Sequence, residues 1–224
     1  HGGMFDRLKG LITIYAISKA LGKPFKLNWT YPFVLSKYLE PNEYNWLIDE
    51  SQMNFGLLSY NNVIAYGEIV DPSRLYKKRS SETHFYYGYY QWGELYRELF
   101  RPTNYLQRYL DQYQSEIGSN YIAIHTRFMN LLGDKTETDI NPELGSENQK
   151  SALVEAAINS VKKISEQHPN TRILIASDSM VFIEEIKKAK LDVYIVPGTV
   201  KHIDTAGETY DSENIKMFTD YYLI

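Results

Sequence analysis

Tyr121-Ile122-Ala123-Ile124-His125-Thr126-Arg127 is a short apolar run that ends in polar groups. In an extended strand, alternation places Tyr121, Ala123, His125 and Arg127 on one side and Ile122, Ile124 and Thr126 on the other. His125 and Arg127 are then neighbours at the strand's carboxyl end, the rim where open parallel sheets bind ligands. A guanidinium is costly to bury unpaired, but at a strand end it offers a fork of donors for a phosphate or carboxylate. Taken alone, the stretch reads at least as well as a histidine bonded to backbone beside an arginine tied to a surface acid.

Downstream of this run the pattern is regular. A strand over 120–127 is followed by a long polar loop through Gly145, a helix over 148–167, a strand over 171–176, a helix over 181–189, a strand over 193–196 and a helical stretch over 213–222. Such a βαβαβα order implies parallel strands joined by right-handed crossovers. The second strand runs into Ser177-Asp178-Ser179. Parallel neighbours end on one rim, so Asp178 is expected to share a crevice with His125 and Arg127. The same triplet also supplies an N-cap for the next helix.

Upstream, Gly118-Ser119-Asn120 marks a boundary, giving domains 1–118 and 119–224. Residues 89–118 read as two helices separated by Pro102, with Trp92, Leu95, Tyr96 and Leu99 on the first and Tyr105, Leu106, Tyr109 and Tyr113 on the second. His1-Gly2-Gly3-Met4-Phe5-Asp6-Arg7 is a glycine-led turn entering a helix whose Leu8, Leu11, Ile12, Tyr15 and Ala16 face a sheet; Gly22-Lys23-Pro24 ends it. A strand over 25–29, a short helix over 33–39 and a strand over 62–66 follow, and Lys77-Lys78-Arg79-Ser80-Ser81 reads as an exposed basic loop. A glycine turn opening a helix lets backbone approach a ligand, and free first-turn N–H groups favour negative charge. Such a turn should follow a strand, so the N-terminal domain is expected to begin before residue 1. The uncapped final helix likewise points to a further C-terminal portion.

Composition narrows the classes. The 224 residues suffice for one large or two small domains, and 43% apolar with 23% charged residues is ordinary for a globular chain. A net charge of −4 and a single short basic run argue against nucleic acid as partner. No stretch reaches membrane-spanning length, and zero cysteines exclude disulfides, a thiolate nucleophile and cysteine-bound zinc. The expected location is the bacterial cytoplasm, with peripheral membrane attachment left open. Twenty tyrosines, dense between Tyr76 and Tyr121, suit either a carbohydrate or protein contact surface or a half-buried helical interface.

In order, Gly2-Gly3-Met4-Phe5-Asp6-Arg7-Leu8-Lys9-Gly10, His125-Thr126-Arg127 with Asp134, Ser177-Asp178-Ser179, His202 and Phe218-Thr219-Asp220-Tyr221 resemble the motifs of the GDP-fucose-dependent fucosyltransferase superfamily. That group includes the α1,2-, α1,6-, nodulation and protein O-fucosyltransferases. The resemblance implies an α/β fold of the GT-B-like class, two Rossmann-like domains with parallel sheets facing a cleft, the C-terminal one holding the donor. It implies that Arg127 grips the GDP pyrophosphate, that His125 and Asp178 contact the ribose or guanine side, and that Gly2, Gly3 and Asp6 face the donor from the other domain. Ser179, His202 and Asp220 complete the implied donor set, and Asp6 is the first candidate for general base. Met4-Phe5-Asp6 replaces a commoner Gly-containing turn, and the Arg127 to Asp134 gap is longer than in many relatives.

The expected activity is inverting transfer of L-fucose from GDP-fucose to a carbohydrate hydroxyl. GDP-fucose is the donor substrate and no cofactor is implied. No Asp-x-Asp triplet occurs in the chain, so catalysis without a metal is expected. Two other readings compete: a catalytically inactive nucleotide-sugar or glycan binding protein of the same fold, and an unrelated α/β nucleotide-binding domain in which His125 and Arg127 are structural.

Overall fold

In the computed structural model, which describes residues 3–49, 51, 53, 89–129, 131–134, 145–201, 203 and 210–224, the apolar run 121–126 is a strand. The chain divides into two units, His1–Thr103 and Asn104–Ile224.

In the N-terminal unit, helix α1 (Met4–Ala20) buries Met4, Leu8, Ile12, Tyr15 and Ala16, one stripe at helical spacing. Its described helical neighbour is α2 (Tyr89–Leu99), where Leu95, Tyr96 and Leu99 are buried. The Tyr15 hydroxyl donates to Glu98 of α2, and Lys19 bonds the same carboxylate at 2.6 Å. Strands β1 (Leu39–Pro41) and β2 (Phe100–Pro102) pair antiparallel, and buried Trp46 donates its indole N–H to Leu99 O at 2.7 Å.

Two expectations for this unit need correction. The strand over 25–29 is reduced to a single parallel bridge, Leu27 to Leu47. The reason is local: the Phe25 N–H goes to the Tyr44 hydroxyl at 2.7 Å instead of a neighbouring strand. The helix over 33–39 is only a 3-10 turn, Leu35–Lys37, because the Tyr38 carbonyl is captured by the Thr103 N–H at 2.9 Å and the chain is drawn into β1. Among the described residues, parallel strand pairing of more than one bridge is confined to the C-terminal unit. The strand over 62–66 and the basic loop 77–81 lie outside the described residues.

The C-terminal unit holds helix α3 (Asn104–Ile117), β3 (Tyr121–Thr126), α4 (Glu147–Gln167), β4 (Arg172–Ser177), α5 (Met180–Lys188), β5 (Val193–Tyr194) and α6 (Asp211–Leu223). The three strands are parallel in the order β3-β4-β5. In register, Ile124 and Ile175 point to one face, where Ile173, Val154 and Val161 of α4 and Phe182 and Ile186 of α5 form the core. The other face carries Tyr121, Leu174 and Tyr194 and is covered by α3 and α6, which pack on each other. There the Tyr121 hydroxyl donates to Leu223 O and the Tyr194 hydroxyl to Glu116, both at 2.6 Å. Helix α3, placed by the sequence before a boundary at Gly118, thus falls with the C-terminal unit. Strand β5 is two residues rather than the four expected.

Candidate functional site

Strand β4 is central and buried from Ile173 to Ser177, whereas β3 is half-exposed along its length and ends at the sheet rim. His125 pairs in register with Ala176, and its side chain is exposed. Arg127, just beyond β3, is also exposed. Neither side chain makes a hydrogen bond or ion pair among the described residues.

The acids near them are arranged differently from the expectation of open ligand groups. Asp178, directly after β4, accepts the Phe128 N–H on Oδ1 at 2.7 Å and the Met129 N–H on Oδ2 at 2.9 Å. Ser179 is fully buried and N-caps α5, its hydroxyl accepting the Phe182 N–H at 3.2 Å. That hydroxyl donates in turn to Asp134 Oδ2 at 2.7 Å, which also accepts the Val181 N–H at 3.0 Å. The loop after β4 therefore holds the loop after β3 through Asp178, and the loop after β3 caps α5 through Asp134.

Helix ends at this rim carry the chain's own carboxylates. Helix α6 runs from the carboxyl rim, where Lys216 reaches Val196 O after β5, to the amino end, where Leu223 meets Tyr121. In its first turn Asp211 takes the Tyr105 hydroxyl, and Glu213 takes the Tyr210 N–H at 2.8 Å and pairs with Lys201 at 3.1 Å. Acids so placed complement the helix dipole. With the N-terminus of α5 capped by Ser179 and Asp134, and the acids at the start of α6 committed to Tyr105, Tyr210 and Lys201, Arg127 and His125 are exposed at the rim.

Asp220 lies deeper. Its Oδ2 pairs with Lys216 Nζ at 2.9 Å, and that ammonium, on a side chain only 2% exposed, also donates to Val196 O at 3.1 Å. Asp220 Oδ1 is buried and has no hydrogen-bond partner among the described residues. Burial pushes this carboxyl up to about 6, the Lys216 charge and hydrogen bond partly offsetting it. Gly198 (φ +124°) lies so close to α6 that a Cβ would meet Lys216 Cβ at 3.1 Å. The sequence reading missed Lys216; the signal was a lysine four residues before an acid on the stripe Ile215, Phe218 and Thr219.

In the N-terminal unit, Gly3 has φ −58° and precedes α1, so its backbone needs no glycine. Asp6 is exposed in the first turn of α1, with Lys9 at 3.6 Å. Gly2 and His202 lie outside the described residues. Among the described residues no three His, Asp or Glu groups gather where one metal ion could be held, and no helix is long and apolar enough to cross a membrane.

No protein-family model matches the sequence, and no curated protein matches it. Solved structures do match. The chain is similar over 100% of its length, at 14% identity, to the fucosyltransferase NodZ from Bradyrhizobium, of which it covers 82%, with a TM-score of 0.58. NodZ α-1,6-fucosyltransferase co-crystallised with GDP gives 0.59 at 14% identity, and the same enzyme soaked with GDP-fucose gives 0.57 at 14%, with equal coverage. At this identity the likeness establishes shared architecture: the chain has the mixed α/β fold of the fucosyltransferase NodZ.

Proposed function

We propose that this chain is an inverting glycosyltransferase that moves L-fucose from GDP-fucose to a carbohydrate hydroxyl, without a metal, as part of a GT-B enzyme. The observation that carries the reading is an exposed arginine, without a side-chain partner among the described residues, at the carboxyl rim of a parallel sheet, in a fold shared with a protein crystallised with GDP. Rim arginines of this kind suit a diphosphate because the guanidinium donates two parallel hydrogen bonds to neighbouring oxygens.

In the proposed step the bond between fucose C1 and the β-phosphate oxygen breaks, and its electron pair stays with GDP. The acceptor oxygen attacks C1 from the opposite face, and its proton passes to a general base, for which Asp6 is the candidate. Arg127 stabilises the charge that grows on the leaving phosphate, an interaction stronger in the transition state than before it. His125, two residues before Arg127 and likewise exposed, is the candidate for contact with the nucleoside end of the donor.

The test is GDP release from GDP-fucose, with and without glycan acceptors and EDTA, alongside calorimetry with GDP, ADP and UDP. The expected result is acceptor-stimulated, EDTA-insensitive release and a preference for GDP. GDP binding without release under any condition supports an inactive binding protein instead. Equal or absent binding of all three nucleotides overturns the donor-site reading.

A further inference from the structure

Among protein partners, the carboxylate of Asp178 serves two consecutive backbone amides, Phe128 N–H at 2.7 Å and Met129 N–H at 2.9 Å. Successive amides converging on one anion make a small concavity of the kind that elsewhere holds a phosphate. Here the chain's own acid fills it. The residue immediately before those amides is Arg127.

The backbone around Arg127 is held on both sides. Ahead of it, the Asp178 N–H donates to Thr126 O at 3.3 Å and so continues the β3-β4 ladder by one step. Behind it, Phe128 is buried with its ring 4.9 Å from that of Phe182 on α5. Met129 follows at φ +54°, a left-handed conformation that a side-chain-bearing residue keeps only when its surroundings hold it there. The Leu131 N–H then closes back on Phe128 O at 3.0 Å. A fixed backbone thus carries an uncommitted guanidinium.

We infer that Asp178 is a positioning residue and not a donor ligand: its carboxylate, clamped on the Phe128 and Met129 amides, fixes where Arg127 presents its guanidinium to the diphosphate. This rests on the donor-site reading above. It also explains why an acid stands beside an anion site. A carboxylate aimed at the diphosphate would repel it, whereas one engaged by two amide donors of the loop that carries Arg127 does not face it. Asp134 has the corresponding place on the other loop, but it acts on α5 through Ser179 and Val181 and so is not expected to steer Arg127.

The test is a double-mutant cycle on the full chain with Asp178→Asn and Arg127→Ala, read by calorimetry with GDP and with inorganic pyrophosphate, and by transfer rate. Asparagine keeps one acceptor and turns an N–H group toward the other amide, so one clamp is lost without a change of size. Asp178→Asn is expected to lower the rate roughly 10- to 100-fold, the scale of a misplacement of about 1 Å. In the Arg127→Ala background the same change is expected to add less than about twofold, since the two act as one unit. In ligand-free protein, amide exchange at Phe128 and Met129 is expected to quicken in Asp178→Asn and stay unchanged in Arg127→Ala. Additive losses, or unchanged exchange at those two amides, overturn the positioning role while leaving the donor site standing. Failure of the wild-type chain to bind either GDP or pyrophosphate overturns the donor site, and this inference with it. Should the asparagine variant not fold, Asp178→Glu, which moves both acceptors out by one methylene, gives the same cycle.

Discussion

Two arginines terminate strands of the same sheet and have opposite fates. Arg172 opens β4 at the amino end and is tied into the structure: it donates to Glu116 O, lies over the Tyr194 ring at 5.4 Å and comes within 4.0 Å of Asp192. Arg127 follows β3 at the carboxyl end and has no such ties among the described residues. Lys216 is the extreme case of the first kind, a buried ammonium holding Val196 O and Asp220. The contrast teaches that charge and strand-end position do not identify a ligand-binding cation; what distinguishes Arg127 is a held backbone under a free head group.

The sharpest way to test the structural half of the contrast is to remove Lys216. Lys216→Ala strips the counter-ion from a buried carboxylate and is expected to cost about 3 to 5 kcal/mol of folding stability, measured by urea denaturation at pH 7. The acid of the pair gives a pH signature. Because the Asp220 carboxyl is pushed up from its ordinary 3.8 to about 6 in the folded chain, the unfolded state loses this proton first as pH rises. Its contribution to stability is therefore full below about pH 4 and lost as pH climbs through about 6. Asp220→Asn is expected to flatten the urea midpoint across that window; a slope unchanged by the substitution breaks the assignment.

For the functional half, Arg127→Ala is expected to leave the thermal midpoint within error and to reduce transfer by on the order of 100-fold, the scale of losing one preorganised donor to a developing anion. Loss of stability without loss of rate would place Arg127 in the same class as Arg172, and the distinction between the two ends of the sheet would collapse.

The fold of the C-terminal unit was legible because its strands are apolar runs separated by periodic helices, a pattern that fixes topology with little help from tertiary contacts. Legibility failed where partners decide: residues 25–29 look like a strand, yet the Phe25 N–H has a tyrosine hydroxyl as its partner, and only Leu27 pairs. The candidate residues divide in the same way. That His125 and Arg127 sit exposed at the end of the first strand could be read from the polar finish of an apolar run. The use of Asp178 and Asp134 could not, because a carboxylate that serves backbone amides of another loop has no sequence period. Lys216 escaped for a third reason, since a lysine on an apolar stripe reads as a solvated edge until the carbonyl it reaches is known.

The smallest expected effect lies at the amino end. Arg172→Ala removes a hydrogen bond to Glu116 O and the stacking on Tyr194, both on a side chain 39% exposed, so about 1 kcal/mol of stability is expected to be lost. The approach to Asp192, itself 87% exposed, adds little, and Asp192→Asn should stay within about 0.5 kcal/mol because solvent screens such a pair. GDP affinity should be unchanged in both, by calorimetry under the conditions used for Arg127→Ala. Weaker GDP binding in Arg172→Ala would mean that the amino end communicates with the rim, through β4 or through α3, and that the two arginines differ in degree rather than in kind.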